Sequence, residues 1–227
     1  MKIAAIIPAA GQGRRLKTRR LKALIAVLGR PLLVHTLMGL RRSFRFHEMI
    51  VVAPADQIEK FKNILRRYSL NSVRVIRGGR TRAESVRNGV EKVSETCEWV
   101  LVHDAARPLV NRRLVHRLIR SAKKTGAAIL AVPVTSTVKK VDVKNKMILR
   151  TEDRDTLALA QTPQVFKKDP LMRRYEILGP QALFATDEAA LFDGSRTQVS
   201  VVPSDESNIK ITTPQDIDLF KFYLRKK

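Results

Sequence analysis

Short apolar runs alternate with stretches of helical spacing along the whole chain. Ile3–Ile7, Met49–Ala53, Val73–Ile76, Trp99–His103, Ala128–Val134 and Val199–Val202 are rich in Val, Ile, Leu and Ala, the pattern of strands buried on both faces. Residues 31–42, 55–68, 81–94, 111–124, 169–178, 186–192 and 214–225 repeat their apolar positions with helical period. Thr213-Pro214 with Asp216 opens the last of these as an N-cap followed by proline in the first turn. This βαβα order predicts an α/β fold, a mostly parallel sheet with helices on both faces, in a single domain over residues 1–227. In such sheets ligands bind beyond the C-terminal strand ends, where the first loop, Gly78-Gly79 and His103-Asp104 fall.

The rhythm breaks once. Val138 to Thr151 reads as two β-branched, lysine-rich strands around a turn at Lys144-Asn145-Lys146, with little apolar content. A lone hairpin is marginal in water, so this arm, at about residues 135–155, is expected to embrace a second subunit.

Composition narrows the class. A chain of 227 residues with 44% apolar content can bury a full core. No apolar run approaches the roughly 20 residues of a membrane span and the first strand begins at residue 2 or 3, so the expectation is a soluble cytoplasmic protein with no leader. The single Cys97 excludes an intrachain disulfide and a cysteine zinc site. The net charge of +23 is dispersed over every segment rather than held in a tail. It admits a salt-sensitive nucleic-acid binder as a rival reading, although aromatics make up only 5% and are not interleaved with the cations.

The loop after the first strand carries the candidate chemistry. In Pro8-Ala9-Ala10-Gly11-Gln12-Gly13-Arg14-Arg15, Gly11 and Gly13 free backbone N–H groups to surround phosphate oxygens. Arg14, Arg15 and Lys22 add charge-assisted donors. Neither the dinucleotide G-x-G-x-x-G nor the P-loop pattern fits, since Leu16 stands at the third glycine and Arg14-Arg15 follow Gly13.

Further motifs follow in order: Gly78-Gly79-x-x-Arg82-x-x-Ser85-Val86, His103-Asp104-Ala105-Ala106-Arg107-Pro108, Pro133-Val134-x-x-Thr137, Asp153-Arg154, Gln161-Thr162-Pro163-Gln164, Thr186-Asp187-Glu188 and Asn208-Ile209-Lys210-Ile211-Thr212. With the first loop and Lys22 they resemble the bacterial 2-C-methyl-D-erythritol 4-phosphate cytidylyltransferases of isoprenoid-precursor synthesis, from residue 3 to about 224. The resemblance implies a Rossmann-like nucleotidyltransferase fold, a homodimer joined by the arm, and transfer of a cytidylyl group from CTP to 2-C-methyl-D-erythritol 4-phosphate with Mg²⁺, releasing pyrophosphate. It implies catalytic roles for Arg15 and Lys22 at the α-phosphate and for Arg154 and Lys210 at the attacking phosphate, Arg154 acting in the partner's site. Pro8, Ala9, Ala10, Gly11, Gly13, Arg14, Gly79, Arg80, Ser85 and Ala105 would line the nucleotide. Asp104, Arg107, Thr137, Thr162 and Thr186 would meet the polyol phosphate. Mg²⁺ would be held mainly through the CTP phosphates, with Asp104 able either to approach its shell or to contact a substrate hydroxyl, and not a firm ligand.

Three positions depart from the family pattern: Arg80 where Asp is common, and Leu21 and Ala23 where Pro and Gln are common. Leu21 is expected to loosen the presentation of Lys22. His103 is read as a packing residue, because a phosphate dianion has no proton to lose. A different polyol, such as ribitol phosphate, remains the alternative within the class.

Overall fold

A computed structural model describes residues 1–11 and 21–225 of the chain. The elements are β1 (Ile3–Pro8), β2 (Ala26–Val27), β3 (Arg30–Pro31), α1 (Leu32–Ser43), β4 (Glu48–Ala53), α2 (Ile58–Arg67), β5 (Val73–Arg77), α3 (Arg82–Glu91), β6 (Trp99–Val102) and α4 (Arg112–Thr125). They continue with β7 (Ala127–Pro133), β8 (Val138–Asp142), β9 (Met147–Glu152), β10 (Ala158–Lys167), α5 (Lys168–Leu178), β11 (Val199–Pro203) and α6 (Pro214–Arg225).

Seven strands form one sheet in the order β11-β7-β10-β6-β1-β4-β5. β1 lies parallel to both β4 and β6, and its alternation shows why the apolar run is continuous. Ile3, Ala5 and Ile7 enter the cluster beneath α1, α2 and α4, while Ala4 and Ile6 enter the one beneath α3 and α5. With both faces covered, every position of the strand must be apolar.

Local chemistry sets the boundaries. Asn111 caps α4 by accepting from the amides of Arg113 and Leu114, and Gly126, at φ 91°, ends it in the left-handed region. Asp216 Oδ2 accepts from the Thr212 and Thr213 amides at 2.7 Å each, fixing the start of α6 where Thr-Pro predicted it. Leu28 and Gly29 both take positive φ, 49° and 73°, in the two-residue turn joining β2 to β3.

Two elements differ from the sequence expectation. Residues 158–167 form a ten-residue strand, antiparallel to its neighbours β6 and β7. The polar Gln161-Thr162-Pro163-Gln164 in its middle hides it. Pro163 is accommodated because the register with β7 shifts between Gln161 and Gln164. Residues 186–192 give only a short 3-10 turn, Ala189–Phe192.

The arm is a separate two-stranded sheet, β8 with β9. It is more apolar than its sequence suggested: Val143, Met147, Ile148 and Leu149 are 83%, 62%, 63% and 59% exposed. Among the described residues, no helix is long and apolar enough to cross a membrane.

Candidate active site

A cleft of about 490 Å³ opens where β1, β5 and β6 end, lined by Pro8 to Gly11, Lys22, Gly79 to Arg82, Ser85, Asp104 to Ala106 and Lys210. The first loop is tied down at both ends. The Ala9 amide donates to the Val52 carbonyl at 2.8 Å, and the Lys22 amide donates to the Gly11 carbonyl at 3.3 Å, which returns Lys22 to the mouth of the cleft. Gly13, Arg14 and Arg15 lie outside the described residues. Leu21 anchors rather than loosens this neck: it packs against the core, and its carbonyl accepts from Leu24 at 2.9 Å.

The second wall is the turn from β5 into α3. Ser85 Oγ donates to the Thr81 carbonyl at 2.9 Å and accepts from the Gly79 amide at 3.1 Å, so its hydroxyl holds the turn in shape. Thr81 caps α3 through the Glu84 amide at 3.0 Å. The Glu84 side chain folds back over Gly79, where an added Cβ would lie 2.2 Å from Glu84 Cγ; only glycine fits. Arg80 is exposed, and its amide donates to Glu84 Oε2 at 2.6 Å.

At the end of β6 three cations surround one carboxylate. Asp104 meets Lys210 Nζ at 2.7 Å, Arg82 Nε at 3.4 Å and Arg107 Nε at 3.7 Å. Burial alone would raise its pKa, but the charges of Arg82 and Lys210, the hydrogen bond from Lys210 and the charge of Arg107 hold the carboxyl well below the usual range. Arg82 is fixed in turn by a two-pronged contact with the buried Glu188, at 2.9 and 3.1 Å. Burial pushes the Glu188 carboxyl up against the opposing pull of that guanidinium.

A hydrogen-bonded floor lies beneath Asp104, although among the described residues Asn208 Oδ1 accepts and Arg107 Nε donates no hydrogen bond in it. The Asp104 amide donates to Thr162 Oγ1 at 3.0 Å. His103 is fully buried, with Nε2 2.9 Å from the Arg107 carbonyl and Nδ1 3.1 Å from Thr162 Oγ1. A carbonyl can only accept, so Nε2 carries the proton, and Nδ1 accepts from the threonine hydroxyl. Burial drives the imidazole pKa down to about 4, leaving the ring neutral near pH 7. Asn208 completes the floor by donating to Gln161 Oε1 at 2.8 Å and to the Thr162 carbonyl at 2.9 Å. Its own carbonyl accepts from Arg107 Nη1 at 2.6 Å. These bonds set the place of Lys210, two residues on.

Along the full chain, residues 3–226 match the family IspD: 2-C-methyl-D-erythritol 4-phosphate cytidylyltransferase. The chain belongs to this family. It is 39% identical over its whole length to the 2-C-methyl-D-erythritol 4-phosphate cytidylyltransferase of Syntrophus aciditrophicus and covers 97% of it. It is 38% identical, over 99% of its length, to the bifunctional enzyme IspD/IspF of Desulfotalea psychrophila, of which it spans 57%. The crystal structure of 4-diphosphocytidyl-2C-methyl-D-erythritol synthase from Anaerococcus prevotii superposes with a TM-score of 0.84 at 34% identity, covering 99% of this chain and 98% of that one.

The fold brings most of the expected family residues to one cleft, but not all. Thr162 and Arg107 are buried, 4% and 8% exposed, and they organise the floor beneath Asp104. Arg107 also walls a second, smaller cavity on the far side of Lys210. Thr137 and Arg154 sit at the base of the arm, away from the cleft, and Arg154 Nη1 donates to the Thr135 carbonyl at 2.9 Å. Thr186 is exposed and does not line the cleft either. Sequence reasoning gave no role to Arg82 or Glu188, although both stand within quoted motifs; the signal was an arginine and a glutamate each one turn or less from an assigned residue.

Proposed function

We propose that this chain transfers the cytidylyl group of CTP to 2-C-methyl-D-erythritol 4-phosphate, giving 4-diphosphocytidyl-2-C-methyl-D-erythritol and pyrophosphate. The observation that carries the proposal is the cation-ringed Asp104 at the mouth of a glycine-walled cleft, in a chain that matches the family from end to end.

In this reaction a phosphate monoester oxygen attacks the α-phosphorus and forms the new P–O bond. The bond from the α-phosphorus to the bridging oxygen breaks, and pyrophosphate leaves with its electron pair. The attacking dianion has no proton to lose, so no general base is needed, and the neutral, buried His103 is free to be structural. The barrier is dominated by repulsion between anions, which positioned cations relieve. We assign Lys22 and Arg15 to the α-phosphate and the leaving group, with Gly11, Gly13 and Arg14 offering donors to the triphosphate. Pro8, Ala9, Ala10, Gly79 and Ala105 enclose the base and ribose. Ser85 acts through the Gly79 turn, and the Arg80 side chain stays clear of the base. Lys210, which borders both cavities, orients the attacking phosphate, and Asp104 offers an oxygen to a polyol hydroxyl. Arg107 and Thr162 are positioning residues, and Thr186, which does not line the cleft, is given no substrate contact.

Among the described residues no three His, Cys, Asp or Glu side chains group as metal ligands, and Asp104 is committed to three cations. That donor set fits a Mg²⁺ carried by the triphosphate and its waters. Bound there, the ion would supply further neutralisation of charge on the phosphates.

We further propose a cytoplasmic homodimer. The exposed apolar residues of β8 and β9 need a cover, and a second copy would receive Arg154 and Thr137 beside its own cleft. The test is pyrophosphate release with CTP against a panel of polyol phosphates. The proposal requires methylerythritol phosphate to exceed ribitol phosphate in kcat/KM; the reverse order reassigns the substrate, and no release with any polyol phosphate overturns the enzymatic reading.

A further inference from the structure

Two acid-free stretches of the chain contribute neighbouring helices. No Asp or Glu occurs before Glu48, and none occurs between Asp104 and Asp142, yet these two segments hold eleven and nine of the 44 Lys and Arg residues. They supply α1 and α4, which pack side by side on the same face of the sheet, with the Phe44 and His116 rings 5.7 Å apart at their junction. α3 and α5, which cover the other face, carry Glu84, Glu91, Asp169 and Glu176, and on the near face α2 carries Glu59.

α4 concentrates the charge. Leu114, Val115, Leu118, Ile119 and Ala122 turn into the core. The opposite side presents Arg112, Arg113, Arg117, Arg120, Lys123 and Lys124, and among the described residues none of these side chains forms an ion pair or hydrogen bond. An open basin lined by Asn111, Arg112, Arg113, His116 and Arg120 lies along this side and shares no residue with the active-site cleft. Catalysis does not account for a surface of this kind, since CTP and a polyol phosphate are met in the cleft.

We propose that the exposed side of α4 is a second binding surface, for the sugar-phosphate backbone of nucleic acid, read without sequence preference. Arg113, Arg117, Arg120 and Lys124 recur once per turn over about 16 Å at 1.5 Å per residue. That length matches about five phosphates on one strand of a duplex. A helix that enters an anionic membrane needs exposed apolar residues to insert. Here the apolar residues of α4 are all buried, so the surface offers only charge. The absence of aromatics between the cations points likewise to backbone contact rather than base stacking.

The test is fluorescence anisotropy of the full chain with a mixed-sequence duplex of about 20 base pairs, titrated over salt. The expected dissociation constant near 0.15 M salt is about 10⁻⁵ M, and four neutralised phosphates give a log K against log[salt] slope of about −3.6. The triple change Arg113→Glu, Arg120→Glu, Lys124→Glu should weaken binding more than tenfold and bring the slope to about −0.9, with cytidylyl transfer unchanged. The same charge change on the other face, Lys92→Glu, Arg173→Glu, Arg196→Glu, should cost less than about threefold. If the glutamate triple does not fold, as judged by its circular dichroism melt, the glutamine triple at the same positions is read the same way. Three results overturn the proposal: no duplex binding at 0.15 M salt, equal loss in both triples, or α4-dependent binding to phosphatidylserine vesicles with none to the duplex.

Discussion

Replacing Thr162 with valine removes one hydroxyl and almost no volume, and the structure fixes what that hydroxyl does. It accepts the Asp104 amide at 3.0 Å and donates to His103 Nδ1 across 3.1 Å, in a site where Thr162 is 4% exposed. Valine leaves a buried N–H donor and a buried imidazole acceptor without partners. Each unsatisfied group costs about 1–3 kcal/mol, so the expected loss for the two is about 2–6 kcal/mol. For a chain of this size each kcal/mol lowers Tm by about 2–4 °C, which puts the fall at roughly 4–24 °C. Urea denaturation should show a lower midpoint with an unchanged m-value. Because the amide belongs to Asp104, the folded variant should also bind the polyol phosphate less tightly, and Thr162→Ser should restore both stability and KM. A valine variant that melts within about 2 °C of wild type while KM for the polyol phosphate alone rises would refute the reasoning, because the hydroxyl would then face the substrate.

Four further outcomes follow from the same geometry. His103 is neutral when buried, with a pKa near 4 against 6.5 for a free imidazole, so the unfolded chain takes up a proton that the folded one refuses. Stability should therefore fall by about 3 kcal/mol as pH drops from 6.5 towards 4, and a slope of equal size in His103→Gln would contradict this origin. Lys22→Ala and Lys210→Ala should each lower kcat by about 10²–10³-fold, as for one preorganised electrostatic donor; a change in KM alone would reduce them to ground-state contacts. Arg80→Ala should leave the preference for CTP over UTP nearly unchanged, and a large loss of discrimination in competition assays would show that the arginine reads the base. In a purified mixed dimer of one Lys22→Ala chain and one Arg154→Ala chain, one site is intact if Arg154 acts across the interface, and activity should return to about half of wild type; a mixed dimer as inactive as its parents would place Arg154 in its own subunit's site.

The apolar pattern made the sheet legible wherever a strand was buried on both faces, because burial then dictates every position, as in Ile3 to Ile7. It failed at β10, where Gln161, Thr162 and Gln164 are buried in mid-strand, the first two bonded to the floor of the site and Gln164 to Asp187. A buried polar residue with a partner reads, in sequence, like a loop. The candidate site was legible through its glycines and cations, which ligand chemistry requires in the open. Arg82 and Glu188 were not, because their work is done on other side chains: a sequence shows that a charge exists and not which charge it meets. Thr162 and Ser85 show the same limit, since a motif cannot tell a hydroxyl that meets substrate from one that holds a turn.

The central claim is attack at the α-phosphorus of CTP, and the position of a radiolabel tests it most directly. With CTP labelled at the α-phosphate, methylerythritol phosphate and Mg²⁺, the label should pass into the cytidylyl conjugate of the polyol; with CTP labelled at the γ-phosphate, it should leave entirely in pyrophosphate. Label from the γ position on the polyol, or α label remaining in free CDP or CMP, would contradict the account.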